Sequence, residues 1–326
     1  MTEQKHDFGT GSVEKNIINM AVPMTVAQVL NLLYNLVDRM YIGHIPGASS
    51  LALTGVGITF PIISMITAFA NLFGMGGAPL CSMARGRRDY DAAKRYMQNA
   101  FWMLLAAGVV LTVTGYVIEK PLLYALGASS VTYPYASSYL RIYLLGNMFV
   151  MVGIGMNPFI NAQGFGTMGM VTVGLGALVN IILDPLFIFV FHMGVEGAAI
   201  ATVIAQFLSA LWVLFFLTGE KPDLRLKICW RKPEFTVVKE IVSLGLSNFF
   251  MLFTNSLVQV VCNRQLQLYG GDLYVGVMTV LISVRDVATM VVNGITSGAQ
   301  PVISFNYGAQ KKDRVKQGIR FMVTIC

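Results

Sequence analysis

Residues 16 to 38 read Asn16-Ile-Ile-Asn-Met-Ala-Val-Pro-Met-Thr-Val-Ala-Gln-Val-Leu-Asn-Leu-Leu-Tyr-Asn-Leu-Val-Asp38. This apolar stretch is long enough to cross a bilayer as a helix, yet it ends on a carboxylate. A second aspartate, Asp184, is embedded in the same way in a later apolar run. An ionisable group inside a membrane span is costly, and its default reading is functional. The alternative for each is a structural polar contact between helices.

Working outward, composition settles the class. The chain of 326 residues is 55% hydrophobic and 12% charged, with a mean hydropathy of +0.65, whereas soluble domains carry about 25% charged residues. It is predicted to be an all-α, polytopic membrane protein. Apolar runs long enough to span fall at 16–43, 52–83, 96–117, 133–160, 168–191, 196–217, 238–267 and 273–305, and a ninth begins near 315. The first 15 residues are polar and show no cleavable leader pattern, so the first span is expected to stay in the mature protein. Four cysteines without CxxC spacing and three histidines near span ends signal no metal site, disulfide framework or cofactor.

Although the net charge is +7, the placement of the basic residues argues against a nucleic-acid partner. Two of the 23 Lys and Arg precede the first span, five follow the second, six follow the sixth and five follow the eighth. Basic residues concentrated in alternate loops mark the cytoplasmic side, which places the N-terminus there. The long basic connection around Lys221 to Lys239 divides the chain into a cytoplasmic segment (1–15), a first six-helix lobe (16–217), a linker (218–237) and a partial second lobe (238–326).

The two lobes share a pattern. Gly76-Gly-Ala-Pro79-Leu-Cys-Ser82-Met-Ala-Arg-Gly86, then Asp91 and Lys94, matches Gly298-Ala-Gln-Pro301-Val-Ile-Ser304-Phe-Asn-Tyr-Gly308, then Asp313 and Lys316, at a constant offset of 222. Six spans lie between the copies, so both have the same membrane orientation, the arrangement of a parallel internal repeat. On this reading Cys326 corresponds to the middle of span three. The second lobe then stops after two and a half of six expected helices, and a version of roughly 440 residues would carry the full repeat and the activity.

Helical spacing collects the polar residues into stripes. Asn31, Tyr34 and Asp38 share one face, as do Asn180 and Asp184, and Thr202 and Gln206. Counted along their spans, Asp38, Asp184 and Thr202 all fall in the outer half of the membrane, so one cluster can contain them. Two carboxylates in a desolvated pocket resist double ionisation, and such a pair can exchange a proton or, with amide and hydroxyl oxygens, ligate Na⁺. The choice between H⁺ and Na⁺ stays open here. So does ordinary interhelical hydrogen bonding, worth under about 2 kcal/mol per bond. Arg285 and Asp286 lie near mid-membrane, where one faces a central cleft or both are bridged to neighbours. Arg39, Arg141 and Arg264 are expected to snorkel from span ends. Nineteen methionines with many Phe and Tyr suit a pliable surface for flat cations, or simply helix interfaces and lipid.

The segments Asn35-Leu-Val-Asp38-Arg-Met-Tyr-Ile-Gly43, Asn157-Pro-Phe-Ile-Asn-Ala-Gln-Gly164, Asn180-Ile-Ile-Leu-Asp184-Pro-Leu-Phe-Ile-Phe189 and Gln300-Pro-Val-Ile-Ser-Phe-Asn-Tyr-Gly-Ala309 together resemble the multidrug and toxic compound extrusion (MATE) family, and within it bacterial Mep-type drug exporters. The resemblance implies two six-helix lobes in a V, in the inner membrane of a bacterium. It further implies a monomer that exports cationic lipophilic drugs, with antibiotic resistance as the consequence, by antiport against H⁺ or Na⁺. One branch of the family uses a span-seven glutamate, where this chain has Asn255. In another, the coupling cluster maps onto Asp38, Asn180, Asp184 and Thr202, with Asn157 as a further member. Asp38 and Asp184 would be metal ligands if the ion is Na⁺. By their position on the polar stripes, Asn31, Tyr34 and Gln206 are candidates for cargo contact, together with Arg285.

A lipid-linked oligosaccharide flippase of similar two-lobe plan is the alternative, and a basic central groove would favour it. An enzyme is not expected: there is no HExxH or GxSxG, and no histidine lies deep in a span.

Overall fold

The computed structural model describes residues 8–45, 49–227 and 233–326; at 49–50 and at part of 256–286 the description covers the backbone only. Arg231 and Lys232 of the basic connection, and the side chains of Arg264 and Asp286, lie outside the described residues. The described chain is helical throughout: α1 (Val13–Ile42), α2 (Ser49–Gly86), α3 (Tyr90–Ala125), α4 (Tyr133–Leu145), α5 (Asn147–Ala162), α6 (Gly166–Pro185) continued by a wider π turn (Leu186–Val190), α7 (Gly194–Thr218), α8 (Phe235–Gly308) and α9 (Lys312–Ile325).

Among the described residues, six helices are long and apolar enough to cross a membrane, and α4 with α5, taken together as one span bent by 59°, would make a seventh. The sequence predicts one uninterrupted helix over 133–160. The break falls at Gly146, where any Cβ would collide with Val203 of α7. The next residue, Asn147, is fully buried and donates its side-chain amide to the Gly108 carbonyl (2.9 Å) and Thr112 Oγ1 (3.1 Å) of α3. Close approach to one helix and anchoring to another set the bend, and neither is visible in hydropathy.

The repeat takes physical form where α2 and α8 end. A Cβ on Gly86 would meet the backbone of Phe305, and a Cβ on Gly308 would meet that of Met83. Phe305 and Met83 are themselves 222 residues apart, so these two contacts are mates under one pseudo-two-fold axis. The same relation holds further along: Gly76 packs on Ile241 and Gly245, and its equivalent Gly298 packs on Met20 and Ala21. Small residues let helix backbones approach this closely, and in a bilayer such packing is a main source of helix association.

These contacts also fix the course of α8, whose 74 residues would extend roughly 110 Å if straight. Ile241 and Phe305 both lie against α2, beside Gly76 and Gly86, which are only about 15 Å apart along their helix. The chain therefore reverses direction between residues 246 and 304, consistent with the two spans predicted at 238–267 and 273–305.

The ends of α2 and α8 close the molecule on the side that carries the basic loops. Ser82 Oγ donates to the Pro301 carbonyl at 3.0 Å. Arg85, counted in the sequence as a loop charge, is only 6% exposed: it donates to the Ala162 carbonyl at the end of α5 and pairs with Asp223 at 3.4 Å. The guanidinium thus satisfies a helix-terminal carbonyl as well as a carboxylate, which makes its burial tolerable. The residues just before α1, from Phe8 on, are docked as well. Phe8 packs edge-on against Phe305, Asn306 donates to the Phe8 carbonyl (3.0 Å), and Arg314 donates to the carbonyls of Gly11 (2.7 Å) and Thr10 (3.2 Å).

Candidate functional site

The polar stripes of α1, α6 and α7 converge. Asn180 and Asp184 stand one turn apart on α6, just before Pro185 ends its regular helix. Asn180 Nδ2 donates to Asp184 Oδ1 at 3.1 Å and lies 3.4 Å from Thr202 Oγ1 on α7. From α1, the carboxyl of Asp38 meets that of Asp184. Asp184 is fully buried and Asp38 is 9% exposed. Among the described residues neither carboxylate has a salt-bridge partner, and the adjacent Arg39 lies over the Phe60 ring, 4.8 Å from its centroid.

Donors are scarce in this cluster. Asp38 Oδ1, Asp184 Oδ2 and Asn180 Oδ1 are all buried without a hydrogen-bond partner. Orphaned acceptors of this kind in a dry interior are expensive, and two carboxylates side by side resist simultaneous ionisation. A proton shared by the pair relieves both penalties. So does a small hard cation held by these oxygens with Thr202 Oγ1.

The fourth wall, α4, was not foreseen. Tyr139, 3% exposed, lies in the neighbourhood of Thr202 and Asp38, and Tyr143 stacks beside it and next to Tyr34. The signal was present as two tyrosines one helical turn apart in an apolar span, each needing a partner for its hydroxyl. A polar tie to α3 adds to the packing of α4 on α7 and α2: Glu119, buried at 4% exposure, accepts from Arg141 Nε at 2.8 Å and from Ser137 Oγ. Arg141 therefore does not simply snorkel: its side chain stays 59% exposed, but its charge is tied to Glu119. Glu119→Ala should leave Ser137 unpaired and loosen α4, lowering stability by about 1–3 kcal/mol. Thermal unfolding of the purified variant measures this, with Glu119→Gln expected to lose less.

Beside the cluster lies a central cavity of about 850 Å³. Asn31, Tyr34, Asn157, Asn180, Thr202 and Gln206 all line it, whereas Asp38 and Asp184 do not. Tyr34, Asn180 and Thr202 thus form a wall shared by the cavity and the carboxylate pair. Asn157 is not brought to the carboxylates: it donates to the Gly169 carbonyl at 3.3 Å, and Gly169 precedes Asn180 by 11 residues, about 16 Å along α6. Arg285 is exposed on α8 and is not among the residues lining the cavity.

A membrane-spanning bundle built from parallel repeats, with a buried carboxylate pair next to a cavity between them, has the architecture of a secondary transporter. The chain belongs to the MatE family, whose model matches residues 23–186 and 248–326. The multidrug export protein MepA of Staphylococcus haemolyticus is 27% identical over 323 residues, covering 98% of this chain and 70% of the relative. The solved outward-facing structure of a multidrug resistance MATE family transporter of the MOP superfamily shares the fold, with a TM-score of 0.90 at 24% identity over 97% of this chain and 69% of that one. A MOP superfamily transporter from Pyrococcus furiosus has a TM-score of 0.90 at 25% identity, over 99% of this chain and 72% of that one. The family consists of multi-pass membrane transporters, not enzymes.

Proposed function

We propose that this protein, in a version carrying the full repeat, exports chemically varied small molecules, lipophilic cations among them, across the plasma membrane of a bacterium in exchange for H⁺ or Na⁺. The observation that carries the reading is the Asp38–Asp184 pair, buried without a salt-bridge partner among the described residues and surrounded by unpaired oxygens. In this mechanism the pair holds the coupling ion, and Asn180 and Thr202 orient it. Asn31, Tyr34 and Gln206 contact the cargo in the adjoining cavity, and Asn157 is assigned to its far end. Because Asn180 and Thr202 touch both compartments, filling one alters the wall of the other, which is the physical link an exchanger needs. A lipid-linked glycan carrier would need cationic groups for its phosphates, and among the described residues lining the cavity there is no Lys or Arg.

Ethidium transport by vesicles carrying the version with the full repeat, under an imposed gradient of H⁺ alone or Na⁺ alone, tests the reading. One of the two gradients should drive the dye against its own concentration difference. Transport indifferent to both would overturn the exchange mechanism. The orientation has its own test: single cysteines replacing Arg87 or Lys312 should resist an impermeant maleimide in intact cells, while one replacing Ser130 should react. Labelling of the first two from outside would invert the topology.

A further inference from the structure

The lining of the central cavity is more apolar than polar, and its polar part comes from neutral groups. Ten Asn and Gln side chains line it, contributed by α1, α2, α5, α6, α7 and α8, and among the described lining residues there is no Asp, Glu, Lys, Arg or His. The two carboxylates are screened from it, Asp184 completely. The amide lining follows the repeat: Asn71 on α2 and Asn293 on α8, 222 residues apart, both border the cavity, so each half presents an equivalent amide. At the far end, Asn157 and Asn161, one turn apart on α5, each keep a side-chain oxygen with no donor.

An amide offers one acceptor and two donors and bears no net charge. It satisfies a cargo's carbonyl, hydroxyl or N–H, and its oxygen also turns toward a cation. What it does not provide is the large preference for a cation that a carboxylate would create in a low-dielectric site. Met24, Met75 and Met251 supply adaptable apolar surface between the amides. We propose that the cavity recognises cargo through neutral dipoles, so that uncharged molecules bearing carbonyl, amide or hydroxyl groups on a flat apolar frame are carried on equal terms with cations. This inference rests on the exporter reading and deepens it.

The test compares dansylcadaverine, a primary amine that is cationic at neutral pH, with its neutral N-acetyl derivative, by fluorescence titration of the purified protein. The two dissociation constants should agree within about threefold, and Asn71→Ala combined with Asn293→Ala should weaken both by about tenfold or more. Asn293→Asp should tighten the amine alone, installing the charge preference that the native cavity lacks. If the amine binds and the acetylated form binds at least tenfold more weakly, the neutral-dipole inference is overturned and the exporter reading stands. If neither probe binds, the assignment of this cavity as the cargo site falls, and the inference with it.

Discussion

Asp184→Asn and Asp38→Asn are each expected to lower gradient-driven export at least about tenfold, while the protein remains folded. Asparagine nearly preserves the shape of aspartate and keeps its hydrogen-bonding capacity, but it neither exchanges a proton nor lends charge to Na⁺. The substitution also removes one of two carboxylates confined together without a salt-bridge partner among the described residues, so thermal stability should hold or rise. This pairing of outcomes separates a coupling role from a structural one. A pair kept only for interhelical hydrogen bonding would show the reverse, with transport retained and stability reduced. Wild-type dye accumulation in both variants would dismiss the mechanism.

The second large effect is expected at the seam between repeats. Gly86→Leu or Gly308→Leu places a side chain where the backbone of the opposite helix already lies. The ends of α2 and α8 must then separate, breaking the Ser82–Pro301 hydrogen bond and lifting Arg85 off the Phe305 ring. Overpacking of this kind costs about 1–3 kcal/mol. Because the two contacts are pseudo-symmetric, the variants should resemble one another in melting temperature, and both should expose a cysteine placed at the buried Ser82 to reagents from the basic-loop side. A harmless Gly308→Leu beside a damaging Gly86→Leu would contradict the two-fold relation.

How much of this was legible in the sequence depends on the range of the interaction concerned. Spans and the repeat follow from hydropathy and spacing, which are local or periodic properties. The meeting of Asp38, Asn180, Asp184 and Thr202 was also readable, because each is a polar residue in an apolar run and must find company. Glu119 and Arg141 each sit near a span end, where a charge is most simply read as facing water. Only the packing of α3 on α4 shows that they face each other. Arg85 looked like one basic loop residue among five, and nothing local marks it as buried beneath α5. The bend at Gly146 and the docking of Phe8 onto Phe305 likewise depend on partners dozens to hundreds of residues away. The gap between the carboxylate pair and the cavity was invisible for a related reason. Helical spacing puts Asn31, Tyr34 and Asp38 on one face, but which of them opens to the cavity is decided by the helices packed against them.

The most direct test of the central claim, that the Asp38–Asp184 pair carries the coupling ion in a compartment separate from the cargo, is to count ions released when cargo binds. Ethidium is added to purified protein in weakly buffered solution with a pH indicator, and in parallel to protein equilibrated with radioactive Na⁺. Wild-type protein is predicted to release H⁺ or Na⁺ in proportion to the dye bound, and the Asp38→Asn/Asp184→Asn double variant to bind the dye and release neither. Equal ion release from the double variant, or dye binding by the wild type with no ion released, would contradict the claim.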